Sequence, residues 1–287
     1  MNQNTLSFPL HRILVPLDAS ENSLTALDTA AELAAILNAE LEGLFVEDIN
    51  LLQLCEFPFA REVSFLGPSF RRIDRAETER QLRIQAQRLQ KTLSTVADRF
   101  QVPWKFRVAR GGVPAEVLAA AEKADLTIMG RSGWSMTGRR RVGSTVRTVI
   151  SKGKGMTLII EQGMYFQPPV QVVFTGSRLS EKALALAVDL GRKKSIPVIV
   201  LVACEPEEQE KLQARARDFI PGRGEGVGLH ILPQPLDLGR INQAVRLHGP
   251  GPLFVPCEKP QLHGESLQAL VDAIENPVLL VRSREES

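Results

Sequence analysis

The sequence predicts an α/β protein built from two copies of one unit. Three observations carry that reading: short apolar runs alternate with segments of helical period, blocks of the first half recur in order in the second, and 287 residues suffice for two medium domains. Residues 11–17 form an apolar run of strand length that ends in a polar turn, Asp18-Ala19-Ser20. A helix follows, because Leu24, Leu27, Ala31 and Ala34 fall on one face, Ser20 or Ser23 can cap the first turn, and Asn38 can close the last. Residues 40–46 read as the second strand. Residues 47–72 have no clean period and contain Pro58, Gly67 and Pro68, so they read as an excursion with one helical turn near Leu51. Its apolar side chains (Leu51, Leu52, Leu54, Phe57, Phe59, Phe65) are expected to pack on the domain's own helices.

Leu82, Ala86, Leu89, Leu93 and Val96 then mark one face of a long helix, with Asp74, Glu77 and Glu79 near its N-terminus, where the helix dipole favours acids. Strands at 104–109 and 126–129 bracket a short helix begun by Pro114. A helix from Ser144 leads to a last strand at 156–160. This alternation predicts a parallel sheet with helices on both faces.

The repeat sets the domain organisation. Residues 17–27 lie without gaps on 174–184, with Ser20 on Ser177, Ser23 on Ser180 and Leu27 on Leu184. Residues 124–129 match 251–256, and 155–160 match 276–281. Two domains are therefore expected, at 1–163 and 168–287, joined where Gly163, Pro168 and Pro169 make a linker.

Composition narrows the function classes. Against 33 acidic residues stand 35 basic ones, a net charge of +2, so wholesale nucleic-acid binding is not expected. Six arginines between Arg71 and Arg88 are interspersed with acids and read as a solvated helix face. No apolar run reaches the roughly 18 residues of a membrane span, and residues 1–10 lack the features of an export signal, so cytoplasmic residence is expected. Cys55, Cys204 and Cys257 are scattered and fit a reducing compartment, with no zinc site or disulfide framework; Cys257 is expected to be inert. The four histidines have no metal-binding spacing.

The segment that carries chemistry is Gly130-Arg131-Ser132-Gly133, nine residues, then Gly143-Ser144, a G-x2-G-x9-G-S pattern between a strand and a helix. Ligands of open parallel sheets sit beyond the carboxyl ends of the strands. There, glycines leave room for backbone amides to meet a phosphate, and the helix opening at Ser144 and Thr145 offers N–H groups and hydroxyls to an anion. Asp18, on the same sheet edge, could accept hydrogen bonds from ribose hydroxyls or orient a metal. The pattern is not a P-loop, since Ser144 stands where the lysine should be. The glycines of 222–228 follow a helix and read as a flexible turn. Arg139, Arg140 and Arg141, inside the nine-residue spacer, read as solvated.

With its first-strand Pro16-Leu17-Asp18-Ala19-Ser20, its Asp125-Leu-Thr-Ile-Met-Gly130 and the glycine pattern, the chain resembles a tandem universal stress protein of the ATP-binding type. The resemblance implies two tandem open parallel five-stranded sheets of order 3-2-1-4-5 with helices on both faces. Their fifth strands, 156–160 and 278–281, would pair antiparallel as an intramolecular pseudo-dimer. It implicates Pro16, Asp18 and Val46 in adenosine binding, and Met129, Gly130, Gly133, Gly143, Ser144 and Thr145 in holding the rest of an ATP, with Mg2+ as its companion cation. In the second half Thr175 stands for Asp18, and Cys257 and Glu258 for Gly130 and Arg131, so only the first half is expected to bind nucleotide. The expected role is regulatory, non-catalytic or weakly hydrolytic, acting on an unidentified protein partner and compatible with a further homodimer. An adenine-nucleotide α-hydrolase and a ligand-free scaffold are the alternatives; the first usually carries S-G-G-x-D-S, absent here.

Overall fold

The computed structural model describes residues 10–57, 61–63, 70–72, 74–131, 142–220, 226–234, 236–258 and 264–283, with backbone alone at 61–63 and 70–72. In the first half come β1 (Arg12–Pro16), α1 (Glu21–Leu37), β2 (Glu40–Asp48), α2 (Ile49–Leu54), β3 (Arg61–Val63) and β4 (Phe70–Arg72). They are followed by α3 (Arg75–Phe100), β5 (Trp104–Gly111), α4 (Val113–Ala121), β6 (Leu126–Gly130), α5 (Ser144–Lys152) and β7 (Met156–Ile160). The second half adds β8 (Val170–Phe174), α6 (Arg178–Lys194), β9 (Val198–Cys204), α7 (Gln209–Asp218), β10 (Val227–Pro233), α8 (Leu238–His248), β11 (Leu253–Pro256), α9 (Gly264–Ala273) and β12 (Val278–Val281).

Ten of these strands form one sheet, in the order β10-β9-β8-β11-β12-β7-β6-β1-β2-β5. Each half, counted without the β3–β4 hairpin, has the order 3-2-1-4-5, and its own strands pair parallel. The halves meet where β12 runs antiparallel to β7, with Val278 opposite Ile159 and Leu280 opposite Thr157. Both seam strands are buried throughout, as strands covered on both faces must be. One helical layer (α1, α3, α6, α7) packs on one face, and its apolar cluster runs from Ile13 and Leu158 across the seam to Leu279 and Val172. The other layer (α4, α5, α8, α9) covers the opposite face around Leu14, Ile159, Val173 and Leu280.

The first turns of α1 and α6 repeat each other atom for atom. Ser20 Oγ accepts from the Ser23 N–H (3.2 Å) and Ser177 Oγ from the Ser180 N–H (3.0 Å), while the Ser23 and Ser180 hydroxyls donate back to the cap carbonyls at 2.9 Å each. Asn38 closes α1 in the left-handed conformation, as its short polar side chain allows. Two details differ from the sequence reading. The excursion holds, besides α2, the short antiparallel hairpin β3–β4.

The second difference concerns the match of 124–129 to 251–256, which is displaced by one residue. Leu14 lies opposite Thr127, and Gln171, its counterpart, lies opposite Leu253. Where these strands end, the N–H groups of Arg131 and Cys257 donate to Ile160 and Val281, again equivalent positions. Gly130 therefore corresponds to Pro256 and Arg131 to Cys257, in place of Cys257 and Glu258. A strand buried on both faces has no polar alternation to set its phase, and a one-residue slip exchanges its faces. The structure sets it: Ile128 and Phe254 face the same helical layer.

Candidate functional site

The β1 and β6 strands are neighbours whose chains leave their carboxyl ends toward opposite sides of the half, β1 continuing to β2 and β6 to β7. Such a switch point opens a crevice at the sheet edge. Two described parts of the chain border it, the turn after Pro16 and the end of β6 together with the start of α5.

The first is a compact polar turn. Asp18 Oδ1 accepts from the Ser20 N–H (3.0 Å) and the Ser20 hydroxyl (2.6 Å). The Asp18 N–H donates to Ser23 Oγ at 3.4 Å, and the Gln85 side-chain amide donates to the Asp18 carbonyl at 3.3 Å. Between them Ala19 sits at φ 63°, a left-handed conformation unfavourable for a residue with a Cβ; Gly176 takes the same role in the second half at φ 77°. Asp18 is thus oriented by its own helix cap and is exposed, with Oδ2 accepting no hydrogen bond among the described residues. It can take hydrogen bonds from a ligand's hydroxyls.

Gly130 ends β6 against the first turn of α1. A Cβ there would come 2.7 Å from Asn22 Cβ and 2.8 Å from its carbonyl carbon, so the glycine is demanded by this helix approach itself. Asn22 in turn accepts the Gln162 N–H at 2.7 Å. Gly143 is the N-cap of α5, and its N–H donates to the Arg131 carbonyl (3.0 Å), which brings the helix start back beside the end of β6. Gly143 has no side chain to cap α5, so among the described residues the first N–H groups of the helix carry no side-chain cap, beside an exposed Ser144 and a half-buried Thr145. That end carries the positive pole of the helix dipole.

Not every expected residue offers a side chain to the crevice. Val46 and Met129 are buried, at 8% and 4% exposure, in the α4–α5 layer, so only their backbone could meet a ligand; Pro16 is half-buried at the end of β1. Gly133 and Arg139, Arg140 and Arg141 lie outside the described residues, as do Phe59 and Phe65 of the apolar excursion; of its other named side chains Leu52 is buried as expected, whereas Leu51, Leu54 and Phe57 are exposed, at 39%, 48% and 55%, and do not pack on the domain's helices. Arg131, which motif reading passed over, is buried and crosses to the other half. Its guanidinium donates to the carbonyls of Val271, Ile274 (2.7 Å) and Asn276 (3.3 Å).

The equivalent turn of the second half is filled by the chain itself. Glu258 accepts from the Ser177 hydroxyl and from that of Thr175 (3.3 Å). Its carboxylate therefore lies on the turn that matches the Asp18 turn. Beside it, desolvation above all pushes the Cys257 thiol up to about 11, against the lowering influence of Arg282, which keeps it protonated near neutrality. Among the described residues no three His, Cys, Asp or Glu side chains gather as a metal site.

An open, mostly parallel sheet whose switch point is bordered by a helix N-terminus and an oriented carboxylate defines a doubly wound α/β protein. The Universal stress protein family model matches residues 9–161, more than half of the chain, and the protein belongs to that family. No curated protein sequence matches it. Among solved structures, a universal stress protein from Archaeoglobus fulgidus DSM 4304 is similar over 96% of this chain and 100% of its own, with a TM-score of 0.73 at 17% identity. A protein of unknown function from Pseudomonas aeruginosa PAO1 is similar over 96% and 94%, with a TM-score of 0.59 at 13% identity. A universal stress protein solved in complex with cAMP is similar over 54% of this chain and 99% of its own, at a TM-score of 0.34 and 20% identity. No described helix is long and apolar enough to cross a membrane.

Proposed function

We propose that this universal stress protein binds one adenine nucleotide, ATP, in its first half, with residues 1–163 as the binding domain and 168–287 as its partner. The observation that carries the reading is the contrast between equivalent turns. In the first half the uncapped α5 N-terminus and Asp18 border one crevice with polar groups turned outward, whereas in the second half Glu258 occupies the turn. The donor chemistry fits the ligand. Amides and hydroxyls at 143–145 suit phosphate oxygens, and Asp18 suits ribose hydroxyls. A Mg2+ ion would arrive on the phosphates, since this chemistry needs no protein cation site of its own.

In this reading the protein is a cytoplasmic regulator that does not turn ATP over, or does so weakly, and nucleotide occupancy governs an unidentified protein partner. Titration calorimetry of the intact chain with ATP tests it, and one equivalent is expected. Ser144→Glu places an acid where the helix dipole welcomes it but a phosphate does not. This variant is expected to keep its melting temperature and lose about tenfold or more in ATP affinity. Two equivalents, or unchanged affinity in the variant, would overturn the site. Release of AMP and pyrophosphate on incubation would move the protein to the hydrolase class, and no binding at all would leave a scaffold.

A further inference from the structure

The helix that would face the phosphates is held at both ends by the other half of the molecule. At its N-terminal side, the Val142 N–H donates to Asp272 Oδ1 of α9 (3.4 Å), and Arg147 on the first turns of α5 lies 3.8 Å from the other Asp272 oxygen. Arg147 also donates to the Val142 carbonyl at 3.1 Å, so Asp272 grips both partners of that contact. At its C-terminal side, Arg282, just past β12, donates to two last-turn carbonyls, those of Val149 (3.1 Å), which also accepts the Gly153 N–H, and Ile150. In the same last turn, Gln268 of α9 donates to the Ser151 hydroxyl at 2.6 Å.

The other flank of the glycine segment is tied to the same helix. Arg131, directly after Gly130, is 5% exposed and places its guanidinium on the carboxyl end of α9, with the Glu161 carboxylate 3.6 Å from Nε. A buried cation needs acceptors and an offsetting charge, and here the helix C-terminus supplies carbonyls to both terminal guanidinium nitrogens while the Glu161 carboxylate supplies the charge. Arg131 and Arg282 perform the same act in opposite directions, although the repeat does not align them: the counterpart of Arg131 is Cys257, and that of Arg282 is Glu161. Two unrelated positions thus supply one function, which marks the contact as a built feature of the seam.

We infer that the second half, empty of nucleotide itself, is a positioning element of the first half's anion site: Asp272, Arg131 and Arg282 fix the two flanks of the glycine segment and both ends of α5. This rests on the nucleotide reading above and goes beyond it, because it assigns the second half a part in phosphate recognition. Among the described residues the adenosine side of the crevice (Pro16, Asp18) has no such tie to α9, so the dependence falls on the phosphates.

The test compares ATP and adenosine binding by the full chain and by Asp272→Ala and Arg282→Lys, with Arg131→Lys as a third variant where it folds. ATP affinity is expected to fall about tenfold in Asp272→Ala, with adenosine affinity unchanged within about twofold. Without ligand, amide hydrogen exchange is expected to quicken at residues 142–146 of that variant while the core strands keep their protection. ATP affinity unchanged in the variants, or ATP and adenosine weakened alike, overturns the inference while the nucleotide reading stands. Failure of the unaltered chain to bind ATP overturns both, and unchanged exchange at 142–146 overturns the anchoring whatever the binding result.

Discussion

Gly130→Ala separates two reasons for a glycine at the head of the motif. The sequence reading placed it there to admit a phosphate; the structure finds Asn22 in the way. The added methyl would stand 2.7 Å from Asn22 Cβ, 2.8 Å from its carbonyl carbon and 2.9 Å from its oxygen, two of these being backbone atoms. Ordinary carbon contacts need about 3.5–4.0 Å, so the first turn of α1 must retreat by roughly 1 Å. Overpacking of that kind costs about 1–3 kcal/mol, partly offset by the roughly 0.4–1 kcal/mol that alanine gains by restricting the unfolded chain. A net loss of about 1–2 kcal/mol corresponds, at roughly 2–4 °C per kcal/mol for a chain near this size, to a melting point lower by about 2–8 °C. The assay is calorimetric or circular-dichroism melting without nucleotide. A variant that melts like the parent yet no longer binds ATP would refute the argument and return Gly130 to the ligand.

Other outcomes follow from individual contacts. Ser177→Ala removes the α6 cap and is expected to lower stability by about 1 kcal/mol in urea unfolding, without altering nucleotide stoichiometry. His248 stacks edge-on against His230 with centroids 4.9 Å apart, and desolvation first, then that neighbour, hold its pKa below the usual 6.5. The unfolded chain therefore binds the extra proton more readily, so this contribution is complete above about pH 6.5 and is lost as pH falls below it. His248→Gln is expected to flatten the stability profile between pH 5 and 7. With its thiol near 11, Cys257 is expected to resist iodoacetamide at pH 8 in the folded protein and to react after urea unfolding, as mass spectrometry would report.

What sequence reading reached and what it missed have separate physical causes. Ser20, Ser177 and Asn38 act within four residues of their partners, so their caps were legible from spacing. The alternation of strands and helices was equally local, and the repeat extended it to the second half. The phase of β11 was not legible, because Leu253, Phe254 and Val255 are all buried and any register matches apolar to apolar. Nor was the role of Arg131, whose partners Val271 and Ile274 lie some 140 residues away and are bare carbonyls, which leave no mark on side-chain type. The Glu258 contact with Thr175 and Ser177 was half visible: comparing the halves sets an acid at the edge of the site, but its hydroxyl partners lie 83 and 81 residues away in the chain.

The antiparallel seam also fixes an order of events during synthesis. The central strand β7 ends at Ile160, but β12, its hydrogen-bonding neighbour, begins only at Val278. At ribosomal rates of about 5–20 residues per second, the intervening chain takes roughly 6–24 s to emerge. For that interval a strand that is apolar but for Thr157 presents an unpaired edge, the template on which nascent chains associate with the wrong neighbour. A second nascent copy carries the same β7 edge, so domain-swapped or β7-to-β7 pairs are the natural by-products of crowded translation, and slower release of the C-terminal residues should increase them.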